Sequence, residues 1–425
     1  MSRTMKNSGI PWIGEIPEGW IPKKLKFSCK LFGRIGFRGY TADDLVDESE
    51  GAITLSPTNM DGIRLDFTKC SYLSWDKYFE SPEIMVEKGD VLLVKTASVG
   101  KCVYVDYLPK ETTVNPQILV LKEHKDCSKF IAYIFQTTLG DAYIDTTKGG
   151  STIYTISQEK IGNYEFAFPP LAEQHLIATF LDKKCSEIDS LIELQEQMIE
   201  ELKAYKQSVI TEAVTKGIRN EELGVRNYKD SGIEWIGDVP EEWEVKRLKY
   251  TAERHSQKVS DEMLPYIGLE NIESFSENFI ETNNEYDVNQ AQVCSVNDVI
   301  FGKLRPYLGK AMVVKSEHCC SSEFLILRGG EVPSYLRYLM LSDWFIEIVN
   351  SSTYGTKMPR ANSDFIMNMQ VAFPPAYERK AIADYLDKKC GEIDELITIK
   401  QQKIESLKEY KKSVIYEYVT GKREV

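Results

Sequence analysis

Residues 180–192 read FLDKKCSEIDSLI and residues 385–397 read YLDKKCGEIDELI, so that ten of 13 positions are identical. Each copy opens a long stretch in which apolar residues recur at intervals of three and four. This is the pattern of a helix with one narrow apolar seam. The predicted helix-pairing seam consists of Leu181, Ile188, Ile192, Ile199, Leu202 and Val209 in the first stretch and Leu386, Ile393, Ile397, Ile404, Leu407 and Val414 in the second.

Helix breakers delimit both stretches. A Pro-Pro pair precedes each one, at 169–170 and 374–375, and Gly217 and Gly421 follow them. Proline is tolerated at a helix start and glycine is common just past a helix end, which predicts helices within 169–217 and 374–425. A helix of about 46 residues is roughly 70 Å long and needs a partner along its apolar stripe. Antiparallel pairing within the chain is the favoured arrangement, with a coiled-coil dimerisation arm as the alternative.

A second repeat opens each half of the chain. The segment SGIPWIGEIPEGW at 8–20 returns as SGIEWIGDVPEEW at 231–243, and the segment between the head and the helix start is 18 residues shorter in the second half. Matched ends that enclose dissimilar middles indicate that the ends share one task, such as holding two copies of one partner, while the middles do related but different tasks. Neutral drift of a duplicated domain is the alternative.

The middles have short β-branched and aromatic runs followed by helical spacing, which is typical of an α+β domain. The predicted domains are 1–168, with the head at 8–27, and 218–373, with the head at 231–250. Predicted helices cover 128–139 and 333–350. The predicted strands are at 91–94, 103–105, 118–121, 299–301, 312–314 and 324–327.

Composition restricts the function classes. The net charge of −13 argues against nucleic-acid binding unless basic residues cluster locally. The chain has no apolar run long enough for a membrane span and no secretory leader, so a cytoplasmic location without membrane contact is expected. Nine cysteines without a Cys-x-x-Cys pair and only four histidines predict free thiols and no metal site.

Several motifs together resemble the specificity subunit of type I restriction-modification systems over nearly the whole chain. They are the twin heads, GDVLL at 89–93, GKLRP at 302–306, PPLAEQ at 169–174 and the two helix openings. The chain departs from the family at Glu378-Arg379, where Glu-Gln is common. It also departs at Lys95-Thr96-Ala97, where the second half has GKLRP, which implies different DNA contacts in the two halves.

The resemblance implies two α+β target-recognition domains separated by two long antiparallel coiled-coil helices, with a pseudo-two-fold repeat. Each domain would read one half of a bipartite site in double-stranded DNA, and the helices would set the gap and dock two methyltransferase subunits. A restriction subunit, which is a motor-nuclease, would join them. This chain would bind no cofactor, because S-adenosylmethionine, ATP and Mg²⁺ would be used by the partner subunits.

No catalytic motif contradicts this interpretation. A phosphate-binding glycine loop is absent, and the Ala-Phe-Pro-Pro segments lack the Asn or Asp of an adenine methyltransferase motif. The acidic residues form no recognisable catalytic set. A coiled-coil scaffold that binds proteins without reading DNA, and an enzyme with an unrecognised site, remain the alternatives.

Basic and aromatic residues in four loops are the candidate DNA contacts, because Lys and Arg neutralise phosphates and Arg can grip guanine with two hydrogen bonds. An ordinary hairpin or glycine turn with solvated lysines is the alternative for each loop. The second-half candidates are Lys303, Arg305, Tyr307 and Lys310 in one loop and Tyr354, Thr356, Lys357 and Arg360 in another. The first-half candidates are Lys95, Thr96, Ser98 and Lys101 in one loop and Lys148, Gly149, Ser151, Thr152 and Tyr154 in another.

Overall fold

Contacts divide the chain into two units. A computed structural model describes residues 3–34, 36–137, 155–218, 226–259, 264–282, 291–355 and 357–425. Unit 1 comprises Met1–Leu194 with Lys403–Val425, and unit 2 comprises Gln195–Gln402. Each unit therefore contains one recognition-domain candidate and a part of each long helix.

Among its described residues, unit 1 has short strands and three short α-helices ahead of the first long helix. Its strands are β1 Met5–Asn7, β2 Glu15–Pro17, β3 Ile21–Lys24, β4 Lys30–Gly33, β5 Leu45–Val46, β6 Gly51–Leu55, β7 Met60–Asp61, β8 Arg64–Leu65, β9 Ser71–Ser74, β10 Val91–Val94, β11 Cys102–Tyr104, β12 Thr112–Val114, β13 Ile118–Lys122 and β14 Glu165–Phe168. Its helices are α1 Trp75–Phe79, α2 Ser128–Phe135 and α3 Gln158–Gly162, followed by α4, Leu171–Lys216, which continues into unit 2.

Unit 2 repeats this order with fewer described strands. They are β15 Tyr228–Asp230, β16 Asp238–Pro240, β17 Glu244–Arg247, β18 Glu253–His255, β19 Tyr266–Ile267, β20 Ala291–Cys294, β21 Val299–Gly302, β22 Ala311–Val313, β23 His318–Ser321, β24 Phe324–Arg328 and β25 Gln370–Phe373. The helices are α5 Pro333–Leu341, α6 Asp343–Ser351, α7 Ser363–Asn368 and α8 Ala376–Val419, the last of which ends in unit 1.

The central sheet of each unit has the same strand order. In unit 1 the order is β11-β10-β13-β4, and in unit 2 it is β22-β21-β24-β18, with antiparallel pairing throughout. A second sheet, β12-β6-β9-β5 in unit 1 and β19-β23-β20 in unit 2, contains one parallel pair in each case. The sequence-dissimilar middles therefore share one framework.

The central strands are apolar along their whole length because both faces of the sheet are covered. Val91 and Leu93 belong to one apolar cluster, which includes α2, while Leu92 and Val94 belong to another. In unit 2, Phe301 and Ile300 divide in the same way. A sheet buried on both sides loses the polar alternation of a half-exposed strand.

The two heads form equivalent hairpins. Ser8 N–H donates to the Gly14 carbonyl at 2.9 Å, and Ser231 N–H donates to the Gly237 carbonyl at 3.2 Å. Both glycines have positive φ, +74° and +67°, a conformation that costs other residues free energy. After each head, β3 pairs with β14 and β17 pairs with β25, so that the strand after the head lies beside the strand before the long helix.

The repeated aspartate of the two helix openings anchors each domain to its helix. Tyr133 Oη donates to Asp182 Oδ1 at 2.8 Å, and Tyr338 Oη donates to Asp387 Oδ1 at the same distance. Burial of Asp387 raises the pKa of that carboxyl above its usual value. These contacts explain why both copies of the opening carry an aspartate.

The long helices pair with each other in antiparallel fashion inside each unit. In unit 1, the rings of Phe180 and Tyr418 are tilted against each other with centroids 4.5 Å apart, and Asp189 pairs with Lys411 at 2.6 Å. In unit 2, Lys206 pairs with Asp394 at 2.7 Å. Lys206 and Lys411 interrupt the apolar seam at equivalent positions, and polar residues at such positions are known to set the register of coiled coils.

All twelve predicted seam residues are buried or half-buried. The buried ones are Leu181, Ile188, Ile199, Leu386, Ile393, Ile404 and Val414. The half-buried ones are Ile192, Leu202, Val209, Ile397 and Leu407.

Both predicted short helices differ from the structure. The predicted helix 333–350 is two helices, α5 and α6, because Ser342 leaves the helical conformation, with ψ 149°, and its hydroxyl donates to the Leu339 carbonyl. Helix α2 ends at Phe135, where Thr137 Oγ1 donates to the Ile134 carbonyl. Serine and threonine hydroxyls compete with the helix for backbone groups, which periodicity alone does not register.

All nine cysteines are free thiols, and eight of them are buried. Among the described residues, none of the helices is both long enough and apolar enough to span a bilayer.

Candidate nucleic-acid interface

The two second-half candidate loops are joined into one surface. Arg305 N–H donates to the Pro359 carbonyl at 2.7 Å, and Ala361 N–H donates to the Lys303 carbonyl at 3.0 Å. Leu304 and Arg360 form an isolated β-bridge between these hydrogen bonds. Loops that are about fifty residues apart in sequence therefore present their side chains together.

The first half has the corresponding framework. Ile156 N–H donates to the Lys95 carbonyl at 2.9 Å, and Thr96 forms an isolated bridge with Thr155. The strip from Lys95 to Lys101 thus lies beside the residues that directly follow the other candidate loop. The candidates Lys148, Gly149, Ser151, Thr152 and Tyr154 of that loop, and Thr356 in the second half, lie outside the described residues.

Solvent reaches most of the described candidates. Tyr307, Tyr354, Lys357 and Arg360 are exposed in the second half, and Ser98 and Lys101 are exposed in the first. The remaining candidates are half-buried and comprise Lys95, Thr96, Lys303, Arg305 and Lys310.

Two lysines at corresponding positions also make internal contacts. Lys310 Nζ donates to the Leu269 carbonyl at 2.6 Å, and Lys101 Nζ donates to the Pro57 carbonyl at 3.5 Å. Each lysine follows a glycine with positive φ, Gly309 or Gly100. Part of the hydrogen-bonding capacity of Lys101 and Lys310 therefore holds a neighbouring turn of the same domain.

A cluster of positive charge surrounds Lys303. Burial lowers the pKa of its ammonium group, and Arg254 and Arg360 lower it further, against the opposite effect of Glu323. Arg360 is paired with Glu323, and Arg254 Nη1 lies 2.9 Å from Asp364 Oδ1. We call Arg254, Lys303, Arg305, Lys357 and Arg360 the second-half basic cluster.

Sequence reasoning missed Arg254 and Glu323. Arg254 lies in β18 opposite Leu327 of β24, and Glu323 N–H to Ser321 Oγ closes the turn before the same strand. Arg254 and Glu323 are about 50 and 20 residues away from Lys303 in sequence, and they approach it only because their strands pair in the sheet. The available signal was weak, namely a lone arginine within a short strand.

The first half carries less charge at the same place. Burial lowers the pKa of the Lys95 ammonium group. An added Cβ at Gly33 would lie 3.5 Å from Lys95 Nζ, so that this lysine lies over a residue without a side chain. The Gln117 carbonyl accepts from Lys95 N–H at 2.8 Å, as the Glu323 carbonyl accepts from Lys303 N–H in the second half. Gln117 therefore corresponds to Glu323.

Ala97 and Arg305 share a rare backbone conformation. Their φ values are +64° and +51°, in the left-handed region. Residues other than glycine seldom adopt it, and such strain is concentrated at functional sites. Because the strained position recurs in both halves, it belongs to the shared framework of the loop.

Comparison with known proteins agrees with this repeated architecture. The type I restriction modification DNA specificity domain matches residues 77–204 and 237–409, which together exceed half of the chain. The chain belongs to the type I restriction-modification DNA specificity family. The two matched regions begin within the two domains and end within α4 and α8.

Specificity subunits of known systems resemble the chain over its length or over one half. The MjaVIII specificity subunit of Methanocaldococcus jannaschii is 25% identical over 430 residues, covering 96% of this chain and 93% of that protein. The EcoKI specificity subunit of Escherichia coli K12 is 26% identical over 211 residues, covering 47% of this chain and 44% of that protein.

Solved structures of the family share the fold. A chain in a structure of a type I restriction-modification system has a TM-score of 0.69 with 14% identity, and covers 96% of this chain and 99% of its own length. The HsdS subunit of Thermoanaerobacter tengcongensis has a TM-score of 0.51 with 14% identity, and covers 96% of this chain and 98% of its own length. The specificity-subunit fold of two recognition domains and long helices is therefore that of this chain.

Proposed function

We propose that this chain is the DNA-sequence-specificity subunit of a type I restriction-modification complex. Each recognition domain would read one half of a bipartite site in double-stranded DNA, and the paired helices would set the gap and dock two methyltransferase subunits. Methyl transfer from S-adenosylmethionine, and ATP- and Mg²⁺-dependent cleavage, would belong to the methyltransferase and restriction subunits. The observation that carries the proposal is the pair of loop surfaces, built on one framework and bearing different side chains.

Local charge supports DNA binding despite the net charge of −13. In the second-half basic cluster, the acidic groups Glu323 and Asp364 are paired with Arg360 and Arg254. Screening limits the reach of other acids to a Debye length of roughly 8–10 Å. Lys303, Arg305 and Lys357 therefore remain available to phosphates and bases.

Repeated apolar side chains on the helix surfaces support two copies of one protein partner. Leu191, Leu194 and Tyr410 in unit 1 correspond position by position to Leu396, Ile399 and Tyr205 in unit 2. All six are between 45% and 54% exposed. In each unit the tyrosine and the first leucine lie within two residues of the ion pair that joins the helices, Asp189–Lys411 or Lys206–Asp394. We call these triplets the unit 1 apolar patch and the unit 2 apolar patch.

Exposed apolar groups are costly to keep in water, and aromatic and large aliphatic side chains anchor interfaces. The same three positions recur in both units, whereas Leu176, which is also exposed, corresponds to Ala381. An interface for two copies of one partner requires repeated anchors, and Leu176 does not meet this condition. The methyltransferase subunits are therefore proposed to dock on the two apolar patches.

Replacement of Leu191 and Leu194 with serine is expected to remove one methyltransferase copy from the complex. The double change Leu396→Ser and Ile399→Ser should remove the other, and the quadruple variant should bind none. Burial of apolar surface contributes about 25 cal/mol of binding free energy per Å². Loss of both apolar side chains of a patch should therefore weaken docking by a few kcal/mol. Native mass spectrometry of the purified complex would count the copies.

Leu176→Ser is the matched control, since this leucine is exposed but not repeated. It should leave two copies bound. Retention of both copies by the quadruple variant, with unchanged affinity, would count against docking on these patches.

Selection from a random duplex library tests the DNA-reading function. The chain assembled with the methyltransferase subunit of its own host should enrich and methylate one bipartite sequence with a fixed gap. The isolated chain with S-adenosylmethionine should methylate nothing. Binding without sequence preference would favour a protein scaffold, and methylation by the isolated chain would favour an enzyme.

A further inference from the structure

The two halves provide an internal comparison that separates shared tasks from distinct ones. The backbone contacts pair Lys95 with Lys303, Gln117 with Glu323 and Thr155 with Arg360. The common left-handed conformation pairs Ala97 with Arg305. Phosphates are the same in every half-site, so that groups that bind the DNA backbone can be the same in both domains. Groups that read bases must differ when the bases differ.

The positions that are the same in both halves carry lysine. Lys95 and Lys303 are both half-buried, and burial lowers the pKa of both ammonium groups. Lys101 and Lys310 both donate to a carbonyl of the neighbouring turn. These four residues therefore fit a shared role in holding the loops and facing the phosphates.

The positions that differ lie side by side on the same framework. We write each pair of corresponding positions with the first-half number before the second-half number. The first half has alanine at 97/305, glutamine at 117/323 and threonine at 155/360, whereas the second half has arginine, glutamate and arginine there. In the second half, Arg360 Nη2 donates to Glu323 Oε1, which fixes the arginine against its neighbour. The other carboxylate oxygen of Glu323 is buried and has no hydrogen-bond partner among the described residues.

Arg305 differs from the other arginines of the cluster. Arg254 and Arg360 are both ion-paired, whereas no hydrogen bond or ion pair of the Arg305 side chain occurs within the described part of the chain. Two hydrogen bonds hold the backbone of Arg305. Its N–H donates to the Pro359 carbonyl at 2.7 Å, and the Arg305 carbonyl accepts from Leu308 N–H at 3.0 Å. The loop therefore fixes the backbone of an arginine whose guanidinium group has no hydrogen-bond or ion-pair partner among the described residues.

We propose that positions 97/305, 117/323 and 155/360 determine which bases each half reads, with Arg305 contacting guanine. This inference rests on the proposed function of DNA recognition. The planar guanidinium group matches the O6 and N7 acceptors of guanine in the major groove, and two parallel hydrogen bonds make that contact selective. Glu323 acts as a positioning residue, because its ion pair with Arg360 holds that guanidinium group near Lys303 on the same loop surface.

The first half lacks arginine at both corresponding positions. Ala97 carries no functional group, and Gln117 Oε1 accepts from Asn115 Nδ2 at 3.0 Å. The first half-site is therefore read without the guanidinium contacts of the second. The two half-sites are therefore expected to differ in sequence.

The test uses the complex of this chain with the methyltransferase subunit of its own host and duplex libraries randomised in one half-site at a time. The wild-type complex is expected to require guanine at one position of the second half-site. Arg305→Ala should lower the preference for guanine there roughly tenfold to hundredfold and leave the first half-site unchanged. Arg305→Gly should do the same, and it keeps the left-handed backbone accessible if the alanine variant folds poorly.

Two further variants sharpen the test. Glu323→Gln should reduce selectivity at a single neighbouring base pair, since the amide holds Arg360 less firmly. Arg247→Ala is the matched control, because Arg247 is an exposed arginine of β17 outside the second-half basic cluster. It should leave both half-site preferences unchanged, and a change of sequence preference in the Arg247→Ala complex would contradict the assignment.

The outcomes separate this inference from the proposed function. If Arg305→Ala weakens binding equally for all bases and lowers its dependence on salt concentration, Arg305 binds phosphate and the inference is wrong. If the wild-type complex itself shows no bipartite preference, the proposed function is wrong.

Discussion

Glu378→Ala is expected to lower the free energy of unfolding of unit 2 by about 3–5 kcal/mol, the range for breaking a buried ion pair from one side. Glu378 lies in the first turn of α8, and its side chain is only 3% exposed. Its Oε2 accepts from Arg226 Nη2 at 2.6 Å and from Trp243 Nε1 at 2.9 Å. Alanine would leave the Arg226 charge and the N–H of the fully buried Trp243 without their acceptor.

The first half supplies the matched control. Glu173 makes the same two contacts, with Arg3 Nη2 at 2.5 Å and Trp20 Nε1 at 3.3 Å, but its side chain is 23% exposed. In Glu173→Ala, water can replace part of the carboxylate as hydrogen-bond acceptor for Arg3 and Trp20. The free energy of unfolding is therefore expected to fall by only about 1–2 kcal/mol.

Urea denaturation followed by circular dichroism would measure both variants. Hydrogen exchange around Trp243 would assign the shifted transition to unit 2. If Glu173→Ala and Glu378→Ala lower the free energy of unfolding equally, burial of the glutamate does not determine its contribution to stability.

Gly421→Ala is expected to destabilise unit 1 by about 2–5 kcal/mol. This glycine follows α8 with φ +69°, a conformation that costs a residue with a Cβ about 1–2 kcal/mol. An added Cβ would also lie 2.5 Å from Pro17 Cδ and Cγ and 3.0 Å from Trp20 Cζ2. Neither ring can yield easily, because Trp20 is buried and overpacking of this kind costs about 1–3 kcal/mol more.

Gly14→Ala isolates the conformational part of this cost. Gly14 has φ +74°, and an added Cβ would have nothing within 4 Å. Its substitution should cost about 1–2 kcal/mol, without the contribution of the clash. Thermal or urea unfolding of the two variants gives the difference, and a loss no larger for Gly421→Ala than for Gly14→Ala would contradict close packing of the helix end on the head.

Much of the architecture could be predicted from local patterns. The spacing of Leu181 and Ile188 and of their counterparts Leu386 and Ile393 predicts long helices with one apolar face, and both helices have the predicted extent within a few residues. The short helices were less predictable. Ser342 divides one of them, because its hydroxyl satisfies a carbonyl that the helix would otherwise use.

The candidate interface was predictable only in part. The loops around Arg305 and Arg360 stand out in the sequence by their charge, and their role in DNA binding stays a prediction. Their mutual contact, through the bond from Arg305 N–H to the Pro359 carbonyl, could not be inferred from either loop. The same holds for Arg254, which reaches the cluster only because β18 pairs with β24.

The sequence by itself determined the repeat, the helix seams and the family, because periodicity and motif spacing record which face of an element must be buried. Only the tertiary structure decided what each face is buried against. It paired Lys206 with Asp394 and Lys411 with Asp189, and placed Glu378 beside Trp243. The physical reason is that such contacts join residues more than a hundred positions apart, and their geometry follows from the packing of whole elements rather than from any local preference.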